Sequence, residues 1–241
     1  MTERRCVVLA GGLGTRIRSV TKDLVPKVLI EVNGRPFLEY KLQSLRTMGF
    51  DSVDLLVSHK GEQVVDYIMS SKIKDLSVRV IFDSVTEQGT AGSIMEHIAD
   101  LPESFWVTYG DSYLIAPVDE VELSYPDQSV CVMVVVEADS TTESGNVAID
   151  SETNQILNYQ KSSPGVILPY LDFGILRLNQ SAFGGFQRGV TCDLSKVFMK
   201  LINEQKLFGF VTSENYWDIG TPSRLAATQE FLAKCGDGES L

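Results

Sequence analysis

Leu9-Ala10-Gly11-Gly12-Leu13-Gly14-Thr15-Arg16 follows directly on the apolar run Cys6-Val7-Val8-Leu9-Ala10, and this join decides how the rest of the chain is read. The run has the length and composition of a buried strand, Cys6 to Ala10, ended by a glycine turn. Glycines at 11, 12 and 14 permit positive φ and let backbone N–H groups come close to a phosphate. Arg16 adds a fixed charge and a donor fork suited to phosphate oxygens. Taken alone, the glycines fit a tight strand-to-helix turn with a surface arginine equally well. The G-x-G-x-x-G spacing of dinucleotide loops is absent, and no Gly-Lys-Ser/Thr follows as in a Walker A loop.

Outward from this join, apolar runs alternate with helical patterns, which predicts an α/β fold with βαβ units and a mainly parallel sheet. Helices are expected over Pro36–Met48, Glu62–Ser70 and Ala91–Ala99, and strands over Val53–Ser58, Val78–Phe82 and Phe105–Thr108. The second half is richer in strands. Val130–Val136 is nearly all apolar and reads as a central strand; Asn146–Ile149 and Ile156–Tyr159 flank a polar turn and read as a hairpin. Leu171–Leu178, Phe208–Val211 and Tyr216–Ile219 complete the strands, with helices over Asp193–Glu204 and from Pro222 to about Ala233. No repeat or linker interrupts residues 1–235, which are expected to form a single domain, and the tail 236–241 is expected to be disordered.

At 241 residues the chain can bury a large core, and 44% apolar with 22% charged residues is ordinary for a globular protein. A net charge of −11 argues against a general nucleic-acid binder, while a few cations gathered in one place can still receive a nucleotide. Cys6, Cys131, Cys192 and Cys235 are scattered without a C-x-x-C pair, which suits a reducing compartment. The opening apolar run is too short for a signal-peptide core or a membrane span, so a cytoplasmic protein without a membrane partner is expected.

The loop from Leu9 to Arg16, then Val25-Pro26-Lys27, then Asn33-Gly34-Arg35-Pro36-Phe37-Leu38-Glu39-Tyr40, together resemble the sugar-1-phosphate nucleotidyltransferase family. The wording is closest to heptose-1-phosphate guanylyltransferases and related small bacterial enzymes. The resemblance covers the chain to about Asp111, is loose through the middle, and returns at Tyr216-Trp217-Asp218-Ile219-Gly220-Thr221-Pro222. It implies a three-layer Rossmann-like nucleotidyltransferase fold with a mixed, mostly parallel central sheet. It implies that Ala10, Gly11, Gly12, Gly14, Thr15 and Arg16 hold a nucleoside triphosphate, with Lys27 on the reacting phosphates beside Arg16. Lys27 by itself would read as a solvated surface lysine. By the same resemblance Gln88, Gly89 and Thr90 form the base-recognition turn; Thr90 could equally be a helix N-cap.

Asp111, in Tyr109-Gly110-Asp111-Ser112, comes straight after a buried run, where open α/β sheets place their ligands. A carboxylate there can hold Mg²⁺, or can order its own loop through an Asx turn. The resemblance favours Mg²⁺ and supplies Asp218 as the second ligand. The implied reaction is attack of a sugar 1-phosphate on the α-phosphorus of an NTP, GTP by the closest wording, with heptose 1-phosphate as acceptor and pyrophosphate leaving. Such a reaction needs positive charge more than a general base, so His59 and His97 are expected to be structural or solvated. On the acceptor side the resemblance assigns Asn146, Gln160, Lys161 and Asp172, with Lys161 on the acceptor phosphate. Gln160 stands where a glutamate is usual and Asp172 where an asparagine is common, so the carboxylate has changed walls. The remaining readings are a cytidylyl- or uridylyltransferase for another phosphorylated acceptor, a glycosyltransferase, and a non-catalytic nucleotide binder. A glycosyltransferase would commonly carry an Asp-x-Asp motif, which Asp111-Ser112-Tyr113 lacks, and a non-catalytic protein would have no need of Arg16, Lys27, Asp111 and Asp218 together. Self-association is left open.

Overall fold

Three β-branched and leucine-rich segments set the frame: Arg5–Leu9, Ser52–Val57 and Ser77–Phe82 pair in parallel, with Ser52–Val57 in the middle. This computed structural model describes residues 3–71, 73–84, 87–125, 129–138, 145–161 and 167–235. The tail 236–241, expected to be disordered, lies outside the described residues. Contacts divide the chain into two compact units. The first holds the chain up to Glu87, Thr108–Ile115 and the chain from Tyr216; the second holds Gln88–Val107 and Ala116–Asn215.

In the first unit the helices Phe37–Thr47, Gly61–Ser70 and Pro222–Cys235 accompany the parallel strands. Ser52–Val57 is buried along its whole length, and even its Asp54 is inside, held by two hydrogen bonds from Arg79 at 2.8 and 2.9 Å. Helix Phe37–Thr47 buries Phe37, Leu38, Leu42 and Leu45 as the sequence pattern requires. Pro36 precedes it in extended backbone, ψ 138°, and is not its first helical residue. A two-stranded antiparallel ribbon, Ser112–Leu114 with Tyr216–Asp218, joins parts of the chain that are far apart in sequence. The three-residue strand Ser112–Leu114 is too short for a period to show in the sequence.

In the second unit Cys131–Glu137 is central, antiparallel to Tyr170–Asn179 on one side and parallel to Leu207–Thr212 on the other. Val147–Ile149 and Ile156–Tyr159 form the expected hairpin. Helix Leu194–Asn203 buries Leu194, Val197, Phe198 and Leu201, and Phe198 meets the Tyr159 ring edge-on at 5.0 Å. Helix Val118–Ser124 was not legible, being only two turns long. Gly89 is the N-cap of helix Thr90–His97, so Thr90 is its first residue rather than its N-cap.

Gly89 has φ +77°, and a Cβ there would lie 2.4 Å from the Cys192 carbonyl oxygen. Both backbone strain and collision therefore oppose any side chain. Gly89→Ala is expected to lower stability by about 2 kcal/mol or more, a Tm loss of at least ~4 °C in a thermal melt.

Candidate active site

In the first unit the glycine loop leaves the carboxyl end of Arg5–Leu9, and the Gly110 N–H donates to the Leu9 carbonyl at 3.0 Å. That bond sets the backbone of Asp111 beside the start of the loop. Of the three loop glycines, each of which permits a positive φ, only Gly14 takes one, +61°. The loop runs into a 3-10 turn, Thr15–Ile17, whose Ile17 is buried while Arg16 is exposed. Among the described residues Arg16 makes no hydrogen bond, so its guanidinium stays available to a ligand.

Lys27 opens a second 3-10 turn, Lys27–Leu29, behind Pro26. Its side chain is 13% exposed and its ammonium donates to the Asp111 carboxylate, which rules out the reading as a solvated surface lysine. Asp111 faces Lys27 and does not form the Asx turn; that bond belongs to Asp218, whose Oδ1 accepts the Gly220 N–H at 2.6 Å. The ribbon register sets Asp218 opposite Ser112, and the Ile219 N–H donates to the Asp111 carbonyl at 3.0 Å, so the two aspartates are side by side. Burial raises the Asp218 carboxyl above its ordinary value; the Gly220 N–H opposes this, and the charge of Asp111 adds to it. The other Asp218 oxygen accepts from Arg224 Nη1 at 2.9 Å, and its carbonyl accepts from Thr228 Oγ1 at 2.7 Å. A Cβ on Gly220 would come within 2.7 Å of Asp218 Oδ1 and 3.6 Å of Lys27 Nζ, so the close grouping of Asp218 and Lys27 depends on glycine there. Two hard carboxylates in one field, flanked by cations, are a donor set that suits a divalent oxygen-seeking ion such as Mg²⁺.

In the second unit the base-turn residues are more enclosed than the sequence suggested. Gln88 is buried and its amide donates to Glu96. The amides of Ala91 and Gly92 both donate to the Cys192 carbonyl. Thr90 Oγ1 accepts from the Leu194 N–H at 2.8 Å and donates to Asp193. Asp193 caps helix Leu194–Asn203 through the Ser195 N–H at 3.0 Å and also receives the Lys161 ammonium. Burial tends to raise its carboxyl, but Lys161 and Ser195 outweigh that and hold it below its ordinary value.

Asn146, Gln160 and Asp172 come together at the ends of neighbouring strands. Asn146 Oδ1 accepts the Asp172 N–H at 2.9 Å, and the Asn146 carbonyl accepts the Gln160 N–H at 2.8 Å. Gln160 Oε1 is buried without a hydrogen-bond partner among the described residues. A buried acceptor left open in this way suits a hydroxyl donor. Burial pushes the Asp172 carboxyl up to about 6, against the Gly174 N–H and Tyr159 hydroxyl that stabilise its charge.

The sequence profile of the MobA-like NTP transferase domain matches residues 6–139, more than half of the chain. The chain belongs to that family. It is 25% identical over 222 residues to the D-glycero-alpha-D-manno-heptose 1-phosphate guanylyltransferase of Campylobacter jejuni, covering 90% of this chain and 95% of that one. It also matches mannose-1-phosphate guanylyltransferases, spanning 60% of the length of the 28% identical catalytic subunit beta from Drosophila melanogaster. Among solved structures, HddC from Yersinia pseudotuberculosis complexed with GMP-PN superposes with TM-score 0.79 at 24% identity, over 95% of this chain and 99% of that one. The inositol-1-phosphate CTP transferase from T. maritima superposes with TM-score 0.77 at 23% identity, over 100% and 99%. These structural likenesses are of fold: α/β with a mixed central sheet, as expected from the sequence. The family's activity is nucleotidyl transfer.

Within this nucleotidyltransferase frame the structure adds residues that sequence reading passed over. Arg224 is paired to Asp218, and Asp193, read only as a helix start, is the common partner of Thr90 and Lys161. Arg224 did leave a signal: it is a cation in the first turn of helix Pro222–Cys235, where the helix dipole disfavours positive charge. Asp193 left none beyond its capping role, because its partners come from residues 32 and 103 positions away.

The raised Asp172 carboxyl has a definite sign. Folding disfavours its charged form, so the penalty is full above pH about 6 and fades as pH falls towards the ordinary 3.8. Asp172→Asn is expected to raise Tm by roughly 2–4 °C near neutral pH. The gain should vanish in melts run at acidic pH, where both proteins carry a neutral group.

Proposed function

We propose that this nucleotidyltransferase moves a guanylyl group from GTP to a sugar 1-phosphate, heptose 1-phosphate above others, and that it uses Mg²⁺. The observation that carries the proposal is the cluster in the first unit: Lys27 on Asp111 and Arg224 on Asp218, with Arg16 exposed on the adjoining loop. The Campylobacter relative supports the guanylyl and heptose parts by its name. The Yersinia structure, solved with GMP-PN, adds to the first. A cytidylyltransferase is the second reading, since the T. maritima structure named for CTP covers 100% of this chain. The three buried cysteines are free thiols, which suits work in the cytoplasm.

The reaction forms a bond between an oxygen of the acceptor phosphate and the α-phosphorus, and breaks the bond from that phosphorus to the bridging β-oxygen. Pyrophosphate leaves with the electron pair. Both partners are anions and the nucleophile is already ionised, so lowering their repulsion is the main task. Asp111 and Asp218 would hold Mg²⁺, which supplies charge at the phosphates. Arg16 and Lys27 share that task from the loop side. For Lys27 this means exchanging the Asp111 carboxylate for a phosphate oxygen. Gly89 and Thr90 would offer backbone donors to the base, while Gln88, tied to Glu96, braces the turn. On the acceptor, Lys161 would take the phosphate in place of Asp193, and Gln160 Oε1 and Asp172 would accept from sugar hydroxyls.

Pyrophosphate release with ATP, GTP, CTP and UTP against a panel of sugar 1-phosphates tests the proposal. GTP with heptose 1-phosphate should give the highest kcat/KM, and a clear preference for CTP would overturn the guanylyl assignment. Asp111→Ala should lower kcat by at least ~100-fold with the fold intact by circular dichroism. Lys161→Ala should raise the acceptor KM by roughly 10- to 150-fold and leave the NTP KM nearly unchanged. Equal changes in both KM values would remove Lys161 from the acceptor phosphate.

A further inference from the structure

Arg224 occupies a place that ordinarily repels a cation. It stands at the third residue of helix Pro222–Cys235, where the helix dipole makes the surroundings positive. Its guanidinium is partly buried, and the charge of Arg16 acts on it; these effects depress its pKa, with Asp111 opposing them. Asp218 supplies the carboxylate contact, Nη1 to Oδ2 at 2.9 Å. That carboxylate is not free to move with the arginine. Its other oxygen is fixed by the Gly220 N–H, its carbonyl by Thr228, and its strand by the pairing with Ser112–Leu114. Leu225, the next residue, is anchored in the buried apolar cluster that also holds Ile17 and Ile219, so the base of the arginine is fixed as well. The guanidinium is thus at the end of a 41% exposed side chain, and the carboxylate that it meets is rigid.

The same arrangement recurs beside it. Lys27 is set on Asp111, and a Cβ at Gly220 would come within 3.6 Å of Lys27 Nζ and 2.7 Å of Asp218 Oδ1. Three cations, Arg16, Lys27 and Arg224, therefore surround two carboxylates. A cation paired with one carboxylate gains more from a polyphosphate, which offers a bidentate match to the guanidinium and several negative charges at once.

Resting on the reading of this site as one for an NTP, we infer that Arg224 is a third phosphate-binding residue, which passes from Asp218 to the phosphates when a divalent ion takes that carboxylate. Arg224 and the ion compete for Asp218, and Arg224 and the phosphates attract each other. The exchange makes ion and polyphosphate bind better together than separately.

The test uses inorganic tripolyphosphate with Mg²⁺, which removes any dependence on the base, and Mn²⁺ alone followed by electron paramagnetic resonance. Arg224→Ala should weaken binding of magnesium tripolyphosphate by about tenfold or more in calorimetry, the loss of one charge-assisted bidentate contact. It should leave Mn²⁺ binding in the absence of phosphate unchanged or tighter, because Asp218 has lost a competitor. Arg224→Lys, which keeps charge but not the fork, should fall between the two and guards against a folding defect in the alanine variant. Unchanged tripolyphosphate affinity in Arg224→Ala would overturn the inference. So would weaker Mn²⁺ binding, which would make Arg224 merely an orienting partner of Asp218. A wild-type protein that binds no magnesium tripolyphosphate would instead overturn the reading of the site itself.

Discussion

Ile17, Ile30, Ile219 and Leu225 belong to one buried apolar cluster with Val32, Phe37, Tyr40 and Leu232, and the charged residues of the site are their near neighbours in the chain. Arg16 precedes Ile17, Asp218 precedes Ile219, Arg224 precedes Leu225, and the Lys27–Leu29 turn ends at Ile30. Desolvating these apolar side chains fixes the backbone on which the charges stand, so only the ends of side chains have to move when a ligand arrives. The chain at Thr108 is supported in another way. Lys41 is fully buried, with its ammonium on Thr108 Oγ1 at 2.9 Å and its pKa brought down to about 8 by burial, three residues before Asp111. Burying an amine is costly, and here the cost falls close to Asp111.

Cations held on carboxylates appear in both units: Lys27 on Asp111, Arg224 on Asp218, Lys161 on Asp193. In a protein of net charge −11 a lysine or arginine can find an acidic partner almost anywhere on the surface. In two of these the carboxylate is tied by a backbone N–H, Asp218 by Gly220 and Asp193 by Ser195, while its cation is on a flexible stem. Such pairs are weak traps. Arg224 and Lys161 are 41% and 59% exposed, so solvent and side-chain entropy keep the net strength of these two pairs low, and a more highly charged anion can take the cation at small expense.

The acceptor assignments rest on a different kind of interaction. Asn146, Gln160 and Asp172 are joined across adjoining strand ends, Gln160 by a backbone bond to Asn146 and Asp172 by a bond to the Asn146 side chain, which leaves Gln160 Oε1 without a donor among the described residues. A glutamate in place of Gln160 would put a second buried charge beside Asp172, so the two departures from the family's wording are electrostatically consistent with each other.

The strands, the main helices and the glycine loop were legible from the sequence because they depend on local properties. A five-residue strand of valine and leucine, a helix with apolar residues every three or four positions, and an aspartate cap on Leu194–Asn203 are each decided within about a dozen residues. The motif residues Lys27, Asp111 and Asp218 could be named for the same reason: each stands in a short phrase of its own. What each of them touches could not be read. Lys27 meets Asp111 across 84 residues, Thr90 meets Asp193 across 103, and the ribbon that sets Asp218 beside Asp111 joins residues 112–114 to 216–218. Hydrogen bonds and ion pairs at such separations are paid for by burial elsewhere, so they leave no periodicity at their own positions. Sequence alone determined which short phrases stand out as candidates; only the tertiary structure decided that Arg224 pairs with Asp218 and that Asp193 pairs with Thr90 and Lys161, because these partners come from chain that the packed core brings near.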